Sequence, residues 1–236
     1  MKRLVLLCAL LPTAAFAGEE PLALLERYDK LMGPASFEAT TEMKAHREDD
    51  SERTYKMTML KSGPEKFRAG FLEPSSAKGQ EILRVGDNFW VYMPNLKRSL
   101  RMAARDSFMG GDFNNADVLR VNYAADYVPT IAEDTAEHWL IECKAKSHTV
   151  AYDKVKLWLH KGDYMPLKAQ YFASSGAMIR SAEFKDVKDF GGLKRPSIIS
   201  MRNELVPARW SEMKTVEMKL VESIPETKFT QGALGK

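Results

Sequence analysis

Apolar and polar positions alternate with a period of two through most of the chain, the pattern of strands buried on one face. Phe37, Ala39, Thr41, Met43 and Ala45 make the first run. A charged turn follows over residues 46–53, and Tyr55, Met57 and Met59 resume the alternation. Gly63-Pro64 turns the chain toward Phe67, Ala69 and Phe71, and Glu73-Pro74-Ser75-Ser76 leads into a strand at 81–85. Gly86-Asp87 is a hairpin signal. Phe89-Trp90-Val91-Tyr92-Met93 is then apolar on both faces until Pro94 ends it. Further strands are predicted at 139–145, 155–160, 167–173, 178–187, 196–203 and 215–221. Pro166 and Pro196 suit strand starts, where a missing N–H is harmless. Successive strands with short turns predict an antiparallel meander.

Two segments depart from this period. Leu24, Leu25, Tyr28, Leu31 and Met32 form one helical stripe over residues 21–32. Pro21 fits the first helical position, Glu19 and Glu20 lie where the macrodipole favours negative charge, and Gly33-Pro34 stops the helix. Residues 95–122 are basic, then contain Gly110-Gly111, and become short-helical around 116–123. A long interruption inside a sheet is a lid, a binding loop or poorly ordered. There is no fixed-period repeat, low-complexity tract or interdomain linker.

The N-terminus carries a third pattern. Met1-Lys2-Arg3 is a basic start, Leu4 to Leu11 is apolar, and Ala15-Phe16-Ala17 is a small-x-small cleavage site. This predicts a secretory signal peptide cleaved after Ala17, too short to span a bilayer comfortably. The expected location is the periplasm. Removing 17 of 236 residues leaves 219, which suits a single domain over residues 18–236. Lys and Arg number 35 against 32 Asp and Glu, a net charge of +3 that falls to +1 without Lys2 and Arg3. That balance gives no case for a nucleic-acid partner. Leu7 precedes Cys8 and only seven residues lie upstream, so Cys8 is not read as a lipidation site and the mature chain is expected to be soluble. Cys143 is then left without a partner in the chain.

Motifs of catalysis are missing. His46, His138, His148 and His160 show no metal-ligand spacing, and no H-E-x-x-H or G-x-S-x-G occurs. Ser174-Ser175-Gly176 reads as a hairpin turn, Asp49-Asp50 as solvated charge, and Cys143 as a small buried hydrophobe. The expectation is a protein that is not an enzyme, with no catalytic residue, no metal and no cofactor. Methionine is the unusual feature: with Met1 gone, twelve of the 13 remain, several alternating beside aromatics. Methionine fills cores, and it also suits cavities that accept varied apolar shapes. A concave apolar face is expected to include Tyr55, Met57, Met59, Phe67, Phe71, Phe89, Val91 and Met93. Lys97, Arg98, Arg101 and Arg105 place four positive charges within nine residues. They read as a solvated loop or as a contact for anionic headgroups or an acidic partner.

Residues 78–101 and 108–119 carry a resemblance to a known family. Trp90, Tyr92 and Pro94 form a W-x-Y-x-P strand end, the basic run follows, and Phe108 to Phe113 form an F-M-G-x-D-F element; Phe229-Thr230 and Leu234 resemble the family's ending. The chain resembles the outer membrane lipoprotein-sorting proteins, relatives of the periplasmic carrier LolA, over most of residues 35–234. The resemblance implies a mainly β (α+β) fold: one half-open, strongly curved antiparallel β-barrel with a short helical lid. It implies a monomeric carrier for acyl chains of a lipoprotein or lipid, in transient contact with membranes and with an RND-type exporter as a possible partner. The first helix and residues 108–123 are expected to form the lid. The competing expectation is a non-enzymatic sensor or adaptor docked on an inner-membrane complex, its cavity filled by its own side chains.

Overall fold

A computed structural model describes residues 19–236; the signal peptide expected over residues 1–17 lies outside them. The chain begins with helix α1 (Pro21–Met32) and continues into six strands: β1 (Ser36–His46), β2 (Glu52–Ser62), β3 (Lys66–Glu73), β4 (Glu81–Val85), β5 (Asn88–Met93) and β6 (Arg98–Met102). A turn at Phe108–Gly110 and helices α2 (Asn115–Leu119) and α3 (Tyr123–Asp126) come next. Seven more strands complete the chain: β7 (Tyr127–Asp134), β8 (His138–Ala145), β9 (Lys154–His160), β10 (Pro166–Phe172), β11 (Met178–Asp189), β12 (Lys194–Asn203) and β13 (Trp210–Leu220).

All thirteen strands form one antiparallel sheet in the order β6-β5-β4-β3-β2-β1-β13-β12-β11-β10-β9-β8-β7. It is two meanders joined where β1 pairs with β13. β6 and β7 are its two edges, so the sheet does not close. This is the half-open curved sheet with few helices that the resemblance implied. The alternating runs emerge as strands in the expected register: Phe37, Ala39, Thr41, Met43 and Ala45 are buried on β1, and Tyr55, Met57 and Met59 on β2.

The sequence pattern missed two strands, both at edges. β6 lies inside the segment expected to break the sheet, and its Arg98-Ser99-Leu100-Arg101 stretch lacks a buried face. β7 is buried only at Tyr127, so period two gave no signal there. β13 starts at Trp210, five residues earlier than expected. Pro166 opens β10, whereas Pro196 lies two residues inside β12, before pairing with β13 begins at Ile198.

Both faces of the sheet are covered in part. On the concave face, Leu24, Leu25, Tyr28 and Met32 of α1 and Phe108, Phe113, Val118 and Leu119 of the β6–β7 connection are buried in one core. On the other face, Ile224, Phe229 and Leu234 of the C-terminal segment bury against Leu83, with Trp90 and Tyr92 packed beside them. β4 is consequently buried on both sides at Ile82, Leu83 and Arg84.

Ile141 is wholly buried at the centre of β8, while Leu22 of α1 is 46% exposed. Ile141→Ala should therefore cost about 2–5 kcal/mol of stability, and Leu22→Ala should stay within about 0.5 kcal/mol. Urea titrations of the two variants check both values.

Candidate functional site: a lidded cavity on the concave face

The connection from β6 to β7 must cross the mouth of the open sheet, and it does so pressed onto the concave face. Asp112 is buried and anchors it: the Ser211 hydroxyl and the Asn203 side-chain amide each donate to its carboxylate at 3.1 Å. Gly111 permits the close approach, because a Cβ there would lie 2.6 Å from the Met43 side chain. Phe108 meets Phe71 at 6.1 Å between ring centroids, and the Tyr55 hydroxyl donates to the Met109 carbonyl at 3.3 Å. Asn114 and Asp117 form a reciprocal capping box that starts α2.

Three buried cations hold the carbonyl ends of the lid helices. Lys61 Nζ donates to the Gly33 carbonyl at 3.0 Å and to the Pro34 carbonyl at 2.7 Å, just past the end of α1. Arg195 Nη1 donates to the Met32 carbonyl at 2.8 Å. Arg84 Nη1 donates to the Leu119 carbonyl at the end of α2 at 3.2 Å and to the Pro64 carbonyl at 2.8 Å. Among the described residues none of the three has a carboxylate within ion-pair distance, and burial draws Lys61 down to about 8 and the two arginines to about 10. Across the strands, Phe37, Lys61, Phe67, Arg84 and Phe89 pair in turn, so apolar and cationic side chains alternate along one row of the concave face.

α1 is fastened to α3 by a carboxylate. Backbone N–H groups of Tyr123 and Ala124 both donate to Asp29 at 2.8 Å, taking up donors at the start of α3. Tyr28 packs against Tyr123 with ring centroids 5.1 Å apart.

Beneath this lid lies a cavity of about 90 Å³. Its walls include Tyr28 and Met32 from α1, Phe37, Met59 and Phe67 from the first meander, Met201, Met213 and Met218 from the second, and Phe113 and Val118 from the crossing segment. Lys61 and Arg195 line it where α1 ends, and Asp117 of α2 lines it as well. A second, more polar cavity of about 500 Å³ lies on the far side of α2 and α3, with Phe89, Arg120, Asp126, Lys146 and Tyr152 in its wall. Asp117 and Tyr123 line both cavities, so one layer of side chains separates them. The Asp117 carboxylate accepts from the Tyr152 hydroxyl and the Asn114 N–H, each at 2.8 Å.

Of the eight residues expected to line an apolar face, the structure brings Met59 and Phe67 to the main cavity and Phe89 to the second. Tyr55, Met57 and Phe71 share the concave face but are buried in the core, where Tyr55 and Phe71 meet the Phe108–Met109 turn. Val91 and Met93 are partly exposed on β5. The basic quartet divides. Arg105 donates to the His148 and Val150 carbonyls and ties the β8–β9 loop to the crossing segment. Lys97, Arg98 and Arg101 remain exposed on and beside β6, with exposed Leu96 and Leu100 among them. Sequence reasoning missed Lys61 and Arg195, although both keep the parity of an apolar run, a charged residue where alternation calls for an apolar one. Cys143 is wholly buried, and burial pushes its thiol up to about 12, so it stays protonated. No group of three or more His, Cys, Asp or Glu arranged to hold a metal occurs among the described residues, nor a helix long and apolar enough to cross a membrane.

Fold and site together define a LolA-like half-barrel with a lidded apolar cavity. A LolA superfamily protein from Nitrosomonas europaea matches with 28% identity and a TM-score of 0.82, over 90% of this chain and 98% of that one. Two further structures share the fold. One, described as an outer membrane lipoprotein-sorting protein domain, is from Vibrio parahaemolyticus: 23% identity, TM-score 0.79, 92% of this chain and 98% of that one. The other is a DUF1329 family protein from Desulfovibrio piger: 16% identity, TM-score 0.81, 91% of this chain and 97% of that one. A search of curated proteins finds no match. A family model described as "Uncharacterized protein" matches residues 63–236, and the chain belongs to that family.

Burial raises the carboxyls of Asp29 and Asp117 from their ordinary 3.8 to about 6. Between those values the folded chain binds more protons than the unfolded one. The stability these groups contribute is therefore full below about pH 4 and is lost as pH rises through about 6. The urea midpoint should be higher at pH 5 than at pH 7.5, and Asp29→Asn should shrink that difference. A midpoint that rises with pH across this window would contradict the assignment.

Proposed function

We propose that the chain is a periplasmic carrier that takes acyl chains of a lipoprotein or lipid into the concave cavity and moves them toward the outer membrane. Residues 1–17 are its cleaved signal peptide and residues 18–236 a single binding domain. The observation that carries the reading is the apolar, methionine-rich cavity closed by two helices that are held through backbone carbonyls. Burying each CH₂ gains about 0.8 kcal/mol, so even a part of one acyl chain repays the opening of a lid worth a few kcal/mol. The closed cavity of about 90 Å³ is well below the roughly 300–1,000 Å³ of ordinary ligand pockets. Loading therefore requires the lid to move. Methionine walls suit such a cavity, since unbranched side chains repack around a chain of variable length.

Delivery requires contact with membranes or with proteins embedded in them. Lys97, Arg98 and Arg101, with Leu96 and Leu100, lie on the edge strand β6 and the turn before it, Arg98 and Leu100 on one face of the strand and Arg101 on the other. Each charge near an anionic leaflet is worth about 1 kcal/mol. The same segment offers a surface to an RND-type exporter.

Delipidated protein should bind a fluorescent fatty-acyl probe at micromolar concentration, and Met59→Asp should weaken that binding at least tenfold while circular dichroism stays unchanged. Absence of probe binding by the folded wild type would overturn the carrier reading.

Vesicles containing phosphatidylglycerol should carry the protein upward in flotation at low salt. The triple change Lys97→Glu, Arg98→Glu and Arg101→Glu should reduce the floated fraction at least tenfold, and raised salt should do the same to the wild type.

A further inference from the structure

We propose that the cargo is a single-chain amphiphile with an anionic headgroup, received by Lys61 and Arg195 at the end of the cavity where α1 terminates. The proposal rests on the carrier reading and adds to it the charge of the ligand. Both cations line the cavity and are nearly fully buried. Their partners are neutral: the Gly33 and Pro34 carbonyls for Lys61, and the Met32 carbonyl for Arg195, whose Nε is 3.4 Å from the Pro196 carbonyl. An ammonium has three N–H donors and a guanidinium five, so each cation keeps donating capacity beyond these bonds.

A buried cation without an anion is costly, and an entering carboxylate or phosphate relieves that cost. The bonds to the helix carbonyls have only one charged partner, whereas an anionic headgroup adds the Coulomb attraction between two full charges, so it competes well against them. The competition falls on the groups that hold the end of α1. Arrival of the headgroup thereby loosens the lid that the acyl chain must pass.

The surroundings set the ligand's direction. Lys61 stands between Phe37 and Phe67 on the neighbouring strands, so apolar wall begins directly beside the charge. The one carboxylate in the wall, Asp117, belongs to α2 and is taken up by Tyr152 and Asn114. The cavity wall thus carries two cations and one carboxylate among apolar side chains. A headgroup at the α1 end directs its chain along the methionines of β2, β12 and β13.

The test is displacement of a fluorescent acyl probe from delipidated full-length protein at pH 7 by palmitate, hexadecyl phosphate, hexadecanol and inorganic phosphate. Palmitate and hexadecyl phosphate should each compete at least tenfold more tightly than hexadecanol, and millimolar inorganic phosphate should displace nothing. Lys61→Met and, separately, Arg195→Met should bring the palmitate-to-hexadecanol ratio below threefold, whichever way the loosened lid moves the two affinities together. Equal competition by palmitate and hexadecanol in the wild type would overturn the headgroup assignment and leave the carrier reading standing. Displacement by inorganic phosphate alone would overturn it in favour of a free-anion site. Failure of every ligand and of the probe would instead sink the carrier reading. If neither variant folds, the wild-type ratio still decides.

Discussion

The cavity depends on one arrangement: buried cations on a sheet face hold the carbonyl ends of the helices above it. The last carbonyls of a helix have no partner within it and carry the negative end of its dipole. Lys61, Arg84 and Arg195 satisfy four such groups in and just beyond α1 and α2. A carboxylate partner would make a tighter contact, but it would commit the cation permanently. A hydrogen bond to a charged group is worth about 1.5–3 kcal/mol, and part of that gain is offset by desolvating the cation. The net fastening is modest, which suits a lid that must be closed most of the time and still open.

The topology explains why this segment became the lid. Two meanders share the β1–β13 seam and run away from it, leaving β6 and β7 as edges with one connection to bridge them. The shortest route passes over the concave face, so the chain that links the edges also covers the apolar surface they leave exposed. Arginines secure the route. Arg105 reaches the β8–β9 loop, and Arg120 joins Asp126 of α3 to Asp87 in the β4–β5 turn. The edge strand β6 carries Arg98 and Arg101, charges that discourage strand addition by another molecule.

Eleven of the thirteen strands were legible, most of them because a buried face imposes period two on the sequence. The edges were not legible for the same reason: β6 and the outer part of β7 bury too little for a pattern to be written. α1 could be read to the residue, since Pro21 and Gly33-Pro34 mark its ends by backbone sterics alone. The site was harder. Tyr55, Met57 and Phe71 fall on the concave face, as parity required. Alternation cannot tell whether such a face is covered by the chain's own loop or left open, however, and here the Phe108–Phe113 segment covers them. Met201, Met213 and Met218 carry the same residue type on strands 130 or more residues away in the sequence. Only the β1–β13 pairing brings them opposite Met59 and Phe67.

Two cavities on either side of α2 and α3 bear on the capacity of the binding site. Separately, one is narrow and apolar, and the other is wide and more polar. Asp117 and Tyr123 form part of the partition, and both belong to the crossing segment. Tyr123 is held through the Asp29 carboxylate on α1, and Asp117 through Tyr152 of the β8–β9 loop. Movement of α1 therefore loosens one half of the partition while the loop retains the other. Displacing α1 and α3 together would join the narrow space to the wide one without unfolding either meander, because no strand hydrogen bond is involved. On the carrier reading, the size of an accepted chain would be governed by how far the partition moves rather than by the volume of the closed state. Lys61 and Arg195 act on α1 and Arg84 acts on α2, so the two helices do not share a cation.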